Sequence, residues 1–532
     1  HQYTIIDAIR DRNVLKFKVD YVSTMKTKDL NDNEKVWGIN TDEALSAPER
    51  ISNNVAYILE HFAKKTKRTE TYQQSVIRNV SDVAKSNKNA EERSKIAFNG
   101  FNSIFAVDSI PMAMRYYEEF KKQQESLPCD KRLKVATIFT FSQNEEENDM
   151  GNIDDEDPSS RDFLESAIGD YNQLFGTNYD TSSDKFQSYY KELSLRMKNK
   201  EIDLLIVVSM FLTGFDAKSL NTLWVDKNLR MHGLLQAYSR TNRILNSIKD
   251  CGNIVCFRNL EEATNESFSL FGDKNASGVI LMRAFSDYYF GYMDDKGEPV
   301  KGYVELIEAL KEQFSLQMNP QALENEQMRD FVRLFSAILR MNNLLSAFDE
   351  FTDDKKLLTE RELQDYTGLY ITIRDLMKTS EDSDKTKESI LDDLVFEMEL
   401  VKQIQINIPY ILGLVKKYHE QNCQDKELIA KIQSSINASP DLRDKKELIL
   451  NFINKVSPEK GEIEDQWLSY ISQEKENELK TIIAQEKLKE EPTRAFIEQA
   501  FKDGHLSGMG TAIKDIMPNI GLFGKAKNLR AQ

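Results

Sequence analysis

The run Ile202-Asp203-Leu204-Leu205-Ile206-Val207-Val208-Ser209 opens within a few residues into Thr213-Gly214-Phe215-Asp216. A second apolar run follows, Thr222-Leu223-Trp224-Val225-Asp226, and then Gln236-Ala237-Tyr238-Ser239-Arg240-Thr241-Asn242-Arg243. Short, continuous apolar runs bounded by turn residues predict strands buried on both faces. Further candidate strands lie at 104–107, 134–141 and 253–257. Helical spacing falls between them, after Pro111 (Ala113, Tyr116, Tyr117, Phe120) and over 186–197. Alternation of this kind across 96–262 predicts a parallel sheet covered by helices on both sides. Such sheets bind ligands at the carboxyl ends of their strands, where Thr213-Gly214 and the residues from Asp226 onward are expected. On a helix over 236–243, Gln236, Arg240 and Arg243 stand at i, i+4 and i+7 and share one face. Two guanidiniums and an amide beside a glycine loop suit a phosphate-facing surface. Gly214 suits a turn in which backbone approaches a ligand closely. Gln-x-x-x-Arg-x-x-Arg is also a loose pattern, and a solvated amphipathic face and a plain tight turn would show the same letters.

Working outward, residues 1–95 read as a lead-in. Phe17, Val19 and Tyr21 alternate with Lys16, Lys18 and Asp20, predicting a short half-buried strand. Ser46-Ala47-Pro48-Glu49 has the form of a capping box opening a long helix, whose Ile51, Val55, Ile58, Leu59 and Phe62 face a core. Residues 63–95 are polar, with no clear apolar face beyond one possible helix. The stretch 142–161 crowds Glu145, Glu146, Glu147, Asp149, Asp154, Asp155, Glu156 and Asp157 where apolar residues are lacking. A solvated loop explains it, and metal capture is the sharper alternative. After about 265 strands give way to helical spacing at 303–314, 328–345, 391–401 and 408–418, predicting a helical domain over 263–425. A break at 421–424 precedes a last helical region over 426–532, with helices at 427–436, 441–456, 464–488 and 494–501. It closes in a loop at 517–524 and the basic Lys525, Lys527 and Arg530.

Composition bounds the function. The 532 residues suffice for about three or four domains. A net charge of -16 argues against a chain coated in nucleic-acid-binding surface, but not against one local basic groove. Cys129, Cys251, Cys256 and Cys423 form no C-x-x-C, and the five histidines are scattered, so neither disulfides nor a zinc site is expected. No stretch approaches the roughly 18 apolar residues of a membrane span, and a cytoplasmic protein is the expectation. The chain opens at His1 directly into a patterned segment, Ile5-Ile6-Asp7-Ala8-Ile9-Arg10, which reads as a piece of a longer polypeptide.

The residues 204–217 resemble motif V of superfamily 2 helicases, and 236–243 resemble their motif VI. More narrowly, Asn221-Thr222-Leu223-Trp224-Val225-Asp226-Lys227-Asn228-Leu229-Arg230, continued by His232-Gly233-Leu234, is similar to the restriction (R) subunit of type I restriction-modification enzymes. So are Ser109-Ile110-Pro111, Ala136-Thr137-Ile138-Phe139, Leu270-Phe271-Gly272-Asp273-Lys274-Asn275 and Ile408-Pro409-Tyr410-Ile411-Leu412-Gly413-Leu414. The likeness runs from the first residues to about 425 and more weakly beyond.

This resemblance implies a fold of class α/β plus all-α, a RecA-like parallel-sheet lobe followed by a helical domain and a helical carboxy-terminal region. It implies an ATP- and Mg2+-dependent motor that pulls double-stranded DNA past the enzyme and ends in cleavage. Its expected partners are the modification (methyltransferase) and specificity subunits. Arg243 would be the arginine finger and Arg240 would lie near the γ-phosphate, with Gln236 helping to couple the site. Gly214 and Asp216 would border the nucleotide, while Thr213, Ser109 and Lys227 would contact the DNA backbone. Ser239 stands where many helicases carry Gly. No G-x-x-x-x-G-K-[ST] and no apolar strand ending in Asp-Glu occurs in the sequence, and nothing resembles the Asp…Glu-x-Lys nuclease site that the family places near its amino terminus. The chain is therefore expected to hold the second motor lobe onward and to be inactive alone. Another superfamily 2 DNA motor and a non-catalytic helical scaffold are the rival interpretations.

Overall fold

The computed structural model describes residues 4–23, 41–85, 90–128, 131–139, 158–270, 276–294, 296–316, 318, 320–381, 397–401, 403 and 408–420. Toward the end it describes 428–429, 432–433, 435–436, 442, 445–456, 463–503 and 516. The acidic cluster, Cys129, Cys423, the break at 421–424, the run 271–275 and the closing basic stretch lie outside these residues. The chain divides into two compact units, residues 1–404 and 405–532.

The first unit is built on a six-stranded parallel sheet ordered β1-β8-β7-β4-β6-β5. Its strands are β1 (Lys16–Tyr21), β4 (Asn102–Val107), β5 (Val135–Ile138), β6 (Leu204–Val207), β7 (Leu220–Asp226) and β8 (Cys251–Cys256). The pleat explains the unbroken apolar runs. Ile104, Ala106, Leu205, Val207, Leu223, Val225, Ile254 and Cys256 enter one core. The intervening Phe105, Val107, Leu204, Ile206, Trp224 and Val255 enter the core on the other face. Helices α3 (Pro48–Lys65) and α5 (Ile110–Gln124) cover the second face, while α6 (Pro158–Phe175) and α7 (Ser183–Lys198) line the first.

Three expectations for the lead-in are corrected. β1 pairs in parallel with β8 from Lys16↔Cys251 to Tyr21↔Cys256, so it is an edge strand of the main sheet. Buried Phe17 and α3 give the segment enough apolar surface to join the lobe's two cores. The polar stretch 63–95 contains an antiparallel pair, β2 (Thr71–Ile77) and β3 (Arg93–Asn99), with α4 (Val80–Lys85) between them. Its alternation is hidden because one face is largely polar. The capping box at Ser46 does not form. Ala47 is the N-cap with Pro48 at the first turn, and the Ser46 hydroxyl donates to the Glu43 carbonyl instead.

Beyond the sheet the helices include α8 (Met231–Tyr238), α9 (Glu261–Leu270), α11 (Phe285–Phe290), α12 (Tyr303–Gln313), α13 (Asn325–Leu345), α14 (Glu360–Glu381) and α15 (Met398–Val401). Strands do not vanish after 265: Gly291–Met293 and Pro299–Lys301 pair as a short antiparallel hairpin. The second unit holds α-helices at Ile408–Glu420, Lys446–Lys455, Ile463–Gln485 and Glu490–Asp503. Val415, Ile449, Phe452, Ile463 and Trp467 centre its core. Its boundary at 404/405 falls earlier than the 425/426 expected, and Ile411, Leu412 and Leu414 share one core with Ile432 and Ile436. No described helix is long and apolar enough to cross a membrane.

Candidate functional site

The segment 208–219 carries the chain from the carboxyl end of β6 to the amino end of β7 without a helix, strung past the flank of the sheet. Phe211 and Phe215 anchor it, with rings 4.6 Å apart and both side chains buried. Between them Thr213 and Gly214 are exposed, and Asp216 follows exposed as well. Gly214 has φ +67, the left-handed region that favours glycine. No protein atom lies within 4 Å of where a Cβ would stand there. The turn therefore needs the glycine conformation, and the space in front of it is open.

The helix expected over 236–243 stops at Tyr238. The Thr241 hydroxyl donates to the Tyr238 carbonyl at 2.7 Å, a local bond that competes with helix continuation. Leu15 N–H then donates to the Asn242 carbonyl at 2.9 Å, and Arg243 forms an antiparallel bridge with Val14, just ahead of β1. Gly252 in β8 permits this close passage, since a Cβ there would meet Thr241 Oγ1 at 2.4 Å. The i, i+4, i+7 stripe is thus not a helical face.

The arginines nevertheless converge on the loop. Arg240 Nη1 donates to the Phe215 carbonyl at 2.6 Å, and its Nε donates to the Gln236 carbonyl at 3.0 Å. Arg243 Nε lies 3.4 Å from Asp216 Oδ1, with the two side chains 49% and 57% exposed. Half exposure matters: neither guanidinium is consumed by a buried ion pair. Burial and the adjacent Arg243 charge pull the pKa of Arg240 below its ordinary value while Asp216 opposes them; arginine still stays charged. The Gln236 side chain is exposed nearby.

This cluster is not at the carboxyl ends of the strands. Asp216 precedes β7, Arg243 bridges Val14 two residues before the start of β1, and Lys249 behind them precedes β8. Fully buried Lys249 donates to the carbonyls of Lys218 at 2.9 Å and Leu220 at 2.6 Å. Desolvation pulls its pKa down to about 7, with Cys251 and Asp216 opposing and Arg243 assisting.

The carboxyl ends carry a second polar constellation. Asp226, fully buried, accepts from Arg50 Nη1 and Nη2 at 2.9 and 2.7 Å, from Tyr116 Oη at 2.7 Å and from Arg258 Nε at 3.1 Å. Arg258 also reaches Asp108 at 3.6 Å. Ser109 caps α5, accepting from Met112 N–H at 3.4 Å. Lys227 turns partly inward and donates to the Val208 carbonyl and Ser209 Oγ at 3.1 and 3.4 Å. Its pKa is lowered by burial, with Asp108 opposing. The sequence singles out Ser109 and Lys227 as candidates but gives little sign of the Arg50–Asp226–Arg258 network or of Lys249. The only signal for Asp226 was an aspartate closing an otherwise apolar strand.

A six-stranded parallel-sheet lobe with a glycine turn, half-buried Arg240 and exposed Arg243 beside it, followed by helical regions, defines an α/β plus all-α protein. The chain belongs to the type I restriction enzyme R subunit family. A family profile described as type I restriction enzyme subunit R domain 3 matches residues 99–259, and one for the subunit R C terminal matches 280–532. It is 34% identical over 504 residues to the SauCOLORF180P endonuclease subunit of Staphylococcus aureus strain COL, covering 92% of this chain and 49% of that protein. A relative in Staphylococcus saprophyticus, the SsaAORF53P endonuclease subunit, shows 34% over 509 residues with the same coverage. The N-terminal part of the MpnIIP endonuclease subunit of Mycoplasma pneumoniae is 31% identical over 275 residues, 48% of this chain and 70% of that protein. The chain thus spans about half the length of the staphylococcal relatives. A solved structure, the ATP-dependent Type ISP restriction-modification enzyme LlaBIII bound to DNA, aligns over 81% of this chain and 24% of its own. Its TM-score is 0.21 at 13% identity.

Proposed function

We propose that this chain supplies the second motor lobe and the helical domains of an ATP-dependent DNA translocase and endonuclease subunit of a type I restriction enzyme. The observation that carries the proposal is the meeting of half-buried Arg240 and exposed Arg243 with the open turn at Gly214 and Asp216. Bound ATP with Mg2+ supplies the phosphoryl group whose transfer to water drives such a motor. Arg243 would leave Asp216 for the γ-phosphate of a bound nucleotide and neutralise charge developing there. Arg240, held by the Phe215 carbonyl, keeps the glycine turn in register with that arginine, and exposed Gln236 borders the same space. Among the residues of this chain none is assigned to Mg2+. The phosphate-loop half of the site comes from polypeptide outside this sequence.

Double-stranded DNA runs past Thr213 and the carboxyl ends of the strands, where Ser109 and Lys227 stand beside Arg258. Half-buried Lys227 and the amino end of α5 stand at this edge, while buried Arg258 is held by Asp226 and Asp108. The modification and specificity subunits are the protein partners, in a cytoplasmic complex, and the helical region 426–532 is their docking element.

The pure chain, with or without duplex DNA, is expected to show no ATP hydrolysis above background. DNA-stimulated turnover would contradict the half-site assignment. Removing 426–532 from the full subunit is expected to abolish assembly with the modification and specificity subunits on size-exclusion chromatography. Assembly at the wild-type level would refute docking through that region.

A further inference from the structure

The five residues 246–250 lie between Arg243 and β8, and polar bonds grip them from two directions. On one side stand residues of the helical region. Ser247 N–H donates to Glu399 Oε2 of α15 at 2.8 Å. Asn343 of α13 donates through Nδ2 to the Ser247 and Ile248 carbonyls at 3.3 and 3.1 Å and to Asp250 Oδ2 at 3.2 Å. Lys67, which follows α3, locks the junction. Its buried ammonium donates to the Ile248 carbonyl at 3.0 Å, to Asp250 Oδ2 at 2.6 Å, and to the Asn343 carbonyl and Oδ1, both at 2.9 Å. On the other side Lys249 reaches through to the Lys218 and Leu220 carbonyls, where the glycine loop ends. Asn246 Oδ1 accepts from Lys249 N–H at 3.0 Å and closes the turn.

The tethers from this clamp to the arginine pair are short. Arg243 is three residues from Asn246, and Asp216 is two residues from Lys218, spans of at most roughly 11 and 7 Å. Whatever moves 246–250 therefore moves both members of the pair. We propose that residues 246–250 are a positioning element through which the helical region, by Asn343 and Glu399, fixes where Arg243 stands relative to Asp216. This inference rests on the motor function proposed above. None of the four side chains touches nucleotide; Asn343, Glu399, Lys67 and Lys249 act through the segment they hold. A displaced arginine finger costs transition-state stabilisation more than ground-state affinity, so the signature is a fall in kcat without a rise in KM.

The test uses the full-length R subunit assembled with its modification and specificity subunits on duplex DNA, with ATP hydrolysis followed at steady state. Asn343→Ala and Glu399→Ala are each expected to lower kcat by about 10- to 100-fold, with KM for ATP changed by less than about twofold. Glu399 is exposed, so Glu399→Ala is expected to keep the wild-type unfolding midpoint. Glu399→Gln is expected to restore kcat, because its amide oxygen still accepts from Ser247 N–H. Wild-type kcat in both alanine variants would overturn the inference, as would a Glu399→Gln variant as impaired as Glu399→Ala. Arg243→Ala in the same assembly separates the two levels. If it abolishes hydrolysis while the clamp variants do not, the positioning element alone is wrong; if it leaves hydrolysis intact, the motor assignment fails first.

Discussion

Replacing Arg243 with alanine in the intact R subunit is expected to reduce DNA-stimulated ATP hydrolysis by about 10³-fold or more and to stop translocation. An arginine finger acts on charge that develops only as the phosphoryl group transfers, so its loss appears mainly in kcat. Folding should barely change. The side chain is half exposed, and its ion pair with Asp216 at 3.4 Å is solvent-screened. Exposed pairs of this kind contribute about 0–1 kcal/mol. A triplex-displacement assay for translocation, an ATPase assay and a thermal melt on one preparation check the three parts together. Hydrolysis within a few-fold of wild type would remove Arg243 from the proposed role, and a collapsed melt would make it a structural residue.

Asp226→Ala should do the reverse, damaging stability before chemistry. The substitution leaves Arg50 and Arg258, both buried, facing each other with no carboxylate between them. Removing one member of a buried, hydrogen-bonded ion pair costs about 3–5 kcal/mol. The loss also unfastens α3 from the end of β7, because Arg50 joins helix to strand. Burial pushes the Asp226 carboxyl pKa up, but the Arg50 hydrogen bonds and charge, then Arg258, more than offset this and leave it below the ordinary value. A depressed folded-state pKa means the stabilisation is fully present above the unfolded carboxyl value, about 3.9, and fades as pH falls through the folded one. Urea unfolding of wild type and variant should therefore differ by a constant amount at pH 6 to 8, and the difference should begin to shrink only below about pH 4, as pH falls toward the folded value. A variant as stable as wild type at neutral pH would show the network to be unimportant to the lobe.

How far these features were legible depends on whether their causes are local. The strands β4, β6, β7 and β8 were visible because burial on both faces requires unbroken apolar runs. The half-buried strand at Phe17 was legible from its alternation, but its place at the edge of the main sheet was not, since that depends on β8 arriving 235 residues later in register with Lys16↔Cys251. The arginine segment shows the same limit at finer scale. Spacing placed Gln236, Arg240 and Arg243 on one helical face, and the chain instead leaves the helix after Tyr238 to bridge Val14. The residues still meet at the glycine loop, but through the Phe215 carbonyl and Asp216 rather than through helical periodicity. The Arg50–Asp226–Arg258 network joins positions separated by 176 and 32 residues, and no window in the sequence contains it. Nothing local in the sequence sets Lys249 apart from the other lysines, because only the fold reveals that two carbonyls are its partners.

The most direct measurement is the distance from Arg243 to the γ-phosphate position in a structure of the intact R subunit with duplex DNA and a non-hydrolysable ATP analogue. The account predicts the guanidinium released from Asp216 and within about 3 Å of a γ-phosphate oxygen, with Arg240 still on the Phe215 carbonyl. An Arg243 still paired with Asp216 and facing solvent, while the nucleotide is held entirely by other residues, would contradict it.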